Sequence, residues 1–561
     1  MANSDKRAEV PALHRLIQLL LGLQVLLLVP GGLTEVINFP RAFLLAVFGC
    51  ISIYFLAPFI KETFQSRSIF FIGVFYLFFL NIWCVVMLSG ADVLDQLIGE
   101  RGRNTGALTY SSLILIALLV YFTNTKQFAN SIVNLGSILG FVMCLYALLQ
   151  YFKLDPIPWD NQAGWIIGTF GNPNFLSSYL GITFTLVLGK VFDNTVTLKS
   201  FNLRNILWLL LLPFLLLIIL LTDSKQGLLI AIVGIVSFIF LKLIVRRILK
   251  EILASVFLIS ISGFLGLLGV FNKGPLAQFL YEDSVTYRGD YWRAGIDMGI
   301  DQPWFGVGID QYGANYRSYR DLTTALRRGG EVTSNSAHNV FLDLFSGGGF
   351  PLLISYSLVI LLTLFFGFRS LQRLSAFDPI KTSIFSALIA YLVQSIISIN
   401  QIGLAFLGWL LLGVVASWSR EHNDVELGKS STAFKRTSAI VTITLSIFAI
   451  TPLMKYASFD SRFNSLVKSG DIQGVIELVS KEDVDGYYRN LSAASISGEE
   501  AGPIKEKLLR LSIKVNPQDY TALELLKKLL TDRGDKVEAE EIRRKQLELD
   551  PFNPGLQTPI K

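Results

Sequence analysis

The run Trp208-Leu209-Leu210-Leu211-Leu212-Pro213-Phe214-Leu215-Leu216-Leu217-Ile218-Ile219-Leu220-Leu221 holds no charge. After the corner Thr222-Asp223-Ser224-Lys225-Gln226-Gly227, a second uncharged apolar run extends from Leu228 to Leu241. Apolar stretches of about twenty residues suit a helix that crosses a hydrocarbon core of about 30 Å. The pattern recurs along most of the chain, giving about thirteen spans. They centre near Leu23, Phe48, Leu77, Leu115, Met143, Leu180, Leu212, Ile232, Ile259, Leu353, Leu388, Leu410 and Thr444. Short loops join them, apart from a long one between Phe271 and Asn339. After Lys455 the apolar runs stop and a polar tail follows. The expected fold is all-α: a polytopic membrane domain over 1–455, including a long extracytoplasmic loop at 272–338, then a small soluble helical domain over 456–561.

The bulk composition agrees. Of 561 residues, 52% are apolar and 16% charged, which excludes disorder and an ordinary soluble enzyme. The first apolar run, Leu16 to Val29, is followed by Pro30-Gly31-Gly32 and soon by another span, so it reads as a retained helix rather than a cleaved signal. Cys50, Cys84 and Cys144 each lie inside an apolar run, with no spacing for a metal or a disulfide framework. The net charge of +6 is spread over short loops, which is a topological pattern and not a nucleic-acid signal.

Basic residues concentrate in alternate connections: Lys6, Arg7 and Arg15; Lys61 and Arg67; Lys126; Lys190, Lys199 and Arg204; Arg246, Arg247 and Lys250; Arg369, Arg373 and Lys381; Arg420, Lys429, Lys435 and Arg436. The positive-inside rule puts these and the N-terminus in the cytoplasm. An odd number of spans then places the tail outside, with the loops around Arg101, Asp160, Asp223 and Tyr287. The expected location is a cell membrane, crossed many times. In the tail, Asn516-Pro517 recurs as Asp550-Pro551 at the tetratricopeptide period, with the turn Arg533-Gly534-Asp535 between them. Such hairpins form protein-binding surfaces, although a generic helical tail fits the same residues.

Histidine is the sharpest chemical clue. His14 and His422 fall on the cytoplasmic side of this topology, and His338 alone is outside, in Ser334-Asn335-Ser336-Ala337-His338-Asn339. Imidazole is the side chain best placed to move a proton near neutral pH; the alternative is an interfacial polar residue at a helix start. The long loop carries Arg288, Arg293, Arg317, Arg320, Arg327 and Arg328 among interleaved acids. Guanidinium groups beside a membrane bind phosphate in a bidentate fork, whereas charge runs elsewhere usually mark a solvated face. The loop aromatics Trp292, Trp304, Tyr287, Tyr291, Tyr312, Tyr316 and Tyr319 suit an interface or stacking on sugar rings.

Three more extracytoplasmic corners stand out: Arg101-Gly102-Arg103-Asn104-Thr105-Gly106, Gly168-Thr169-Phe170-Gly171-Asn172-Pro173-Asn174, and the corner from Thr222 to Gly227. Ionisable groups there are functional candidates, because lipid makes them costly; turn chemistry explains the glycines and Pro173 equally well. Asp343, just over one turn past His338, either orients a proton, pairs with an arginine or bonds a neighbouring helix. No external Asp-x-Asp pair or two-histidine spacing suggests a metal, and no glycine pattern suggests ATP or a dinucleotide. No cofactor is expected.

Taken together these corners resemble the superfamily of O-antigen ligases and polymerases, which includes bacterial O-oligosaccharyltransferases. Gly168 to Asn174 looks like its G-T-F-G-N-P-N stretch. Tyr287-Arg288 through Trp292, then Pro303-Trp304-Phe305-Gly306-Val307-Gly308, looks like its R…W…P…G-x-G stretch. His338-Asn339 through Phe341-Leu342, then Gly347-Gly348-Gly349, looks like its H-N-x-x-L…G stretch. Arg101 to Tyr110 is similar to its R…G…T-Y segment. The likeness covers roughly residues 90 to 415. The family often has Ser-Arg where this chain has Ser224-Lys225, so Lys225 keeps the charge without the fork.

The resemblance implies a C-type glycosyltransferase fold and metal-independent, inverting transfer from a polyprenyl-diphosphate-linked glycan to an acceptor hydroxyl on a glycan, lipid or protein. On that basis His338 is the expected base and Arg288 the first cation at the leaving diphosphate. Lys225, Arg101, Arg103, Arg293, Asn172, Asn174 and Asp343 are expected to bind substrate. A polymerase, whose acceptor is another lipid-linked glycan, fits the same residues. A transporter or flippase fits less well, because such proteins put their sites near the bilayer centre, whereas here the charges gather at one face.

Overall fold

The computed structural model describes residues 2–59, 69–157, 161, 164–193, 203–281, 283–420, 432–481, 484–497 and 501–560. The expectations for Lys61, Arg67, Asp160, Lys199, His422 and Lys429 lie outside the described residues. Every regular element among those described is helical. Each of the thirteen expected span centres falls within one helix. Ten of these helices are long and apolar enough to cross a membrane.

The other three, Val10–Leu26, Ala107–Thr123 and Ile402–Ser417, are shorter apolar helices. Packing explains two of the short ones. Every residue of Ala107–Thr123 except Leu115 is buried, and so is nearly all of Ile402–Ser417. These two helices pack on each other at the centre of the bundle. Surrounded by protein, they need not match the thickness of lipid. Leu249–Val270 is the opposite case, with only 6% of its apolar window buried.

One helix is broken on purpose. Val340–Gln372 loses helical geometry at Gly348 and at Gly349, where φ is 64° and ψ is −163°, a region open essentially to glycine alone. The break frees backbone groups, which the loop Pro303–Gly308 takes up. The Val307 N–H donates to the Ser346 carbonyl (2.8 Å), the Gly308 N–H to the Gly347 carbonyl (3.1 Å), and the Phe350 N–H to the Pro303 carbonyl (2.8 Å). The two backbones lie so close that a Cβ on Gly306 would sit 2.3 Å from the Gly347 carbonyl carbon, and one on Gly349 would sit 2.2 Å from the Pro303 oxygen. Buried main-chain groups freed by such a break need partners of this kind. The two glycine motifs are the two halves of one backbone contact.

The long loop has its own core. Tyr291, Ala294, Met298, Tyr312, Tyr316 and Ala337 are buried together. Several aromatics expected at an interface or against sugar rings therefore hold the loop together instead, while Trp304 is 68% exposed. The tail continues from the helix Thr432–Ser469, which runs through the expected boundary at 455 without a break. Ile472–Val479, Gly486–Ser495, Ala501–Val515, Tyr520–Arg533 and Lys536–Leu549 follow, each packed on the next, around a separate apolar core that includes Leu508, Leu523 and Leu530.

Tail and loop share one face of the bundle. Arg317 and Arg320 of the loop pair with Asp550 of the tail, and the Ser318 hydroxyl donates to the Leu549 carbonyl. At the other end of Ala107–Thr123, the His14 imidazole lies 2.9 Å from the Thr123 carbonyl and stacks on Phe128. His14 and His338 are therefore at opposite ends of the bundle.

Candidate active site

His338 occupies the last residue but one before the helix Val340–Gln372, with φ at +53°. A side chain with a Cβ adopts that conformation rarely and at a cost, and such strain gathers at functional sites. Local bonds hold it. The Ser336 hydroxyl oxygen accepts from the His338 N–H (3.1 Å), the Asp343 carboxylate accepts from the Ala337 N–H (2.7 Å), and the Asn339 side chain caps the helix by accepting from Phe341 and Leu342. The imidazole stacks on Tyr291, ring centres 5.2 Å apart.

Tyr291 brings the arginines. Arg288 lies three residues earlier on the helix Asp283–Asp301, a spacing that puts both on one face. Arg328, at the end of Leu322–Arg328, lies over the rings of Tyr287 (4.0 Å) and Tyr291 (4.9 Å), and its guanidinium donates to the Tyr291 hydroxyl. Burial, followed by the charges of Arg288, Arg103 and Arg328, lowers the His338 pKa to about 4. The imidazole is thus neutral at neutral pH and able to accept a proton, in a field that welcomes an anion.

Behind His338 is a buried ionic cluster. Arg103 pairs with Asp310 (3.0 Å) and Asp343 (3.5 Å), all three nearly inaccessible, and donates to the Asn335 carbonyl. Asp310 also accepts from the N–H groups of Glu100 and Thr105. Burial works against the Arg103 charge, but Asp310, Asp343 and Glu100 together hold its pKa above the ordinary value. Burial pushes Glu100 up to about 8, against the pull of Arg103 and with the push of Asp310 and Asp343. Arg103 thereby fastens the Ser334–His338 segment to the bundle.

The remaining expected residues fall into other groups. Arg101, two residues from Arg103, points into the tail, within 5.0, 4.0 and 4.3 Å of the rings of Tyr456, Tyr487 and Tyr488 and beside Asp460 and Asp485. Arg293 is exposed and bridges Asp290 (2.6 Å) and Asp321 (3.3 Å) within the loop. Asn172, Asn174 and Lys225 meet at a second corner. There Asn172 accepts from the Asn174 N–H, and Asn174 accepts from the Ser224 hydroxyl (2.7 Å), with Lys225 exposed at the start of its helix. Among the described residues, no group of three or more His, Cys, Asp or Glu could hold a metal ion.

Two positions are not singled out by the sequence. Arg328 was one arginine among six, and nothing local set it apart. Arg41 did carry a signal, being a charge inside an apolar run. It is fully buried and donates to the carbonyls of Val25 (3.0 Å) and Thr169 (2.8 Å). With Gln150, which accepts from the Ile167 and Gly168 N–H groups, it pins the Gly168–Asn174 corner to the bundle.

No curated protein matches the chain. A family model does: residues 209–357 match that of the O-antigen ligases. The matched segment contains Lys225, Arg288, Arg293, His338, Asp343 and both halves of the glycine contact, and it leaves out Arg101, Arg103, Asn172 and Asn174. Its likeness to O-antigen ligases supports a place in that superfamily and a role in glycosyl transfer within the membrane.

Proposed function

We propose that the protein transfers a glycan from a polyprenyl-diphosphate-linked donor to an acceptor hydroxyl at the face that carries His338, in the manner of an O-antigen ligase. The observation that carries this reading is the His338 imidazole, held on a left-handed backbone at the mouth of a broken helix, with Arg288 and Arg328 near enough to lower its pKa. The acceptor oxygen attacks the anomeric carbon from the side opposite the leaving group, and its proton goes to His338. The bond from that carbon to the phosphate oxygen breaks, and the electron pair stays on the diphosphate. Arg288 and Arg328 stabilise the charge that develops there, in the way fixed donors do in a site with little water. A base at a pKa of about 4 is weak, but the incoming diphosphate offsets the arginine field and raises it. Basicity then appears when the donor is bound. Asn172, Asn174 and Lys225 form a second corner for donor or acceptor. Asp343 and Arg103 position the base, Arg293 braces the loop, and Arg101 anchors the tail.

We place this face outside the cytoplasm, since Arg246, Arg369, Lys381 and Arg420 gather at the other end of the helices. The tail contacts favour counting two of the shorter helices as crossings too. Four helices separate His338 from the tail, and three are long enough to cross. Three crossings alone would leave the tail on the far side from the loop it touches, so Ile402–Ser417 crosses as well. In the same way Val10–Leu26 runs from His14, at the far end, towards Gly31 and Thr34, which bond Lys468 and Asp460 of Thr432–Ser469. The tail then lies outside with the site, where a repeat-like surface is available to an acceptor protein.

The test is a reconstituted assay with labelled donor and candidate acceptors. His338→Ala is expected to cost about 10² to 10⁴ in rate with the fold intact. Full activity in that variant would refute the assignment. A ladder of products would identify a polymerase.

A further inference from the structure

We infer that the C-terminal domain is a working part of the site: Asp550 is a positioning residue that sets the His338 segment through Arg320. The proposal rests on the assignment of His338 above. Asp550 and Arg320 are among the least accessible charged side chains of the protein, at 0% and 2% exposure. They form a two-pronged pair, Arg320 Nε to Asp550 Oδ1 at 3.0 Å and Nη2 to Oδ2 at 2.5 Å. The same guanidinium donates from Nη1 to the Val332 carbonyl (3.0 Å) and from Nη2 to the Gly330 carbonyl (2.6 Å). Arg317 repeats the pattern, donating to the Gly330 carbonyl (3.0 Å) and to Asp550 (3.1 Å), with its guanidinium 3.8 Å over the Tyr520 ring.

The carbonyls that Arg320 holds belong to the segment that ends at His338. Gly330 lies flush against the tail: a Cβ there would come within 2.1 Å of the Asn553 side-chain oxygen. From Val332 the chain runs six residues to the imidazole, and over that stretch the bundle contributes Arg103 at Asn335 and Asp343 at Ala337. The segment is thus gripped at one end by the membrane domain and at the other by the tail. A positive φ at His338 persists only where the surroundings over-determine it, and the tail adds a constraint upstream of the local bonds that hold it. A planar guanidinium whose donors face two carboxylate oxygens and two carbonyls fixes geometry as well as charge.

The experiment uses the full-length protein in nanodiscs and compares wild type with Asp550→Asn and Arg320→Gln. The second variant leaves Asp550 paired with Arg317, so the tail keeps a counter-ion. Amide hydrogen exchange is read over 330–338 and over the tail helices, and transfer is measured on the same samples. Exchange at 330–338 is expected to rise at least about tenfold, with tail protection retained. The transfer kcat is expected to fall by about 10 to 10² while the donor KM stays within about twofold, because a misplacement of about 1 Å costs on that scale. Asp550→Glu, which keeps the charge, should recover part of kcat. If Asp550→Asn loses tail protection, Arg320→Gln decides by the same criteria. Wild-type exchange at 330–338 in a variant with a folded tail overturns the proposal, as does an equal fall in kcat and rise in KM. Should the wild type transfer no glycan while the exchange result holds, the clamp stands and the functional reading falls.

Discussion

The titration of His338 is where the electrostatic reading is most exposed to test. The perturbation is Arg328→Gln, which removes one positive charge and keeps a side chain of similar reach. The Arg328 guanidinium carbon is 4.9 Å from the Tyr291 ring centre, and the His338 ring centre is 5.2 Å from that same point. The charge is therefore within about 10 Å of the imidazole. At that distance it contributes about 1.7 kcal/mol with an effective dielectric of about 20, and about 0.4 kcal/mol in bulk water. At about 1.4 kcal/mol per pKa unit, its loss raises the His338 pKa by about 0.3 to 1.2 units. The sign follows from the cation: it disfavours the imidazolium, so its removal moves the midpoint up from about 4. The assay is carbethoxylation of purified protein against pH, read residue by residue by mass spectrometry, because only the neutral ring reacts. Wild-type His338 should react at a constant rate down to about pH 5.5, well below the midpoint of about 6.5 of a free imidazole. Arg328→Gln should bring that fall in earlier, and a bound polyprenyl-diphosphate should do so in wild type. A wild-type midpoint near that of free imidazole, or one that ignores both the variant and the diphosphate, would refute the argument.

Two further outcomes follow from the geometry. Gly349→Ala forces a Cβ into a backbone region that costs about 1 to 3 kcal/mol for any other residue, and drives it against the Pro303 carbonyl; thermal melting in detergent should fall markedly, whereas a wild-type melt would mean the break in the helix is not rigid. Arg288→Lys keeps the charge and loses the fork, so transfer should drop by about tenfold or more, as read from kcat/KM with labelled donor, while the carbethoxylation profile of His338 stays where it was.

How far the sequence reaches is clear from pairs of identical residues. The spans were legible because lipid imposes one demand, a run of apolar side chains of sufficient length, and all thirteen centres fall in helices. The motifs around Gly306 and Gly347 were legible as motifs. Their mutual contact was not, since backbone pairing across about forty residues of chain leaves no local period to read. Arg101 and Arg103 look alike in sequence. Between and beyond them Gly102 and Asn104 take φ of +80° and +54°, and this tight turn sends one guanidinium into the tyrosines of the tail and the other to Asp310 and Asp343. Arg327 and Arg328 are harder still, being adjacent on one short helix. Successive residues on a helix diverge by about 100°, so Arg327 reaches Asp290 while Arg328 turns to Tyr291 and the imidazole. In each pair the residue type states what chemistry is available, and the turn or the helix phase decides where it is delivered. The residue types therefore rank a loop by its arginines, yet assigning the arginine that would serve the proposed diphosphate site requires the fold of the loop, and that fold is held on one side by the broken helix and on the other by the tail.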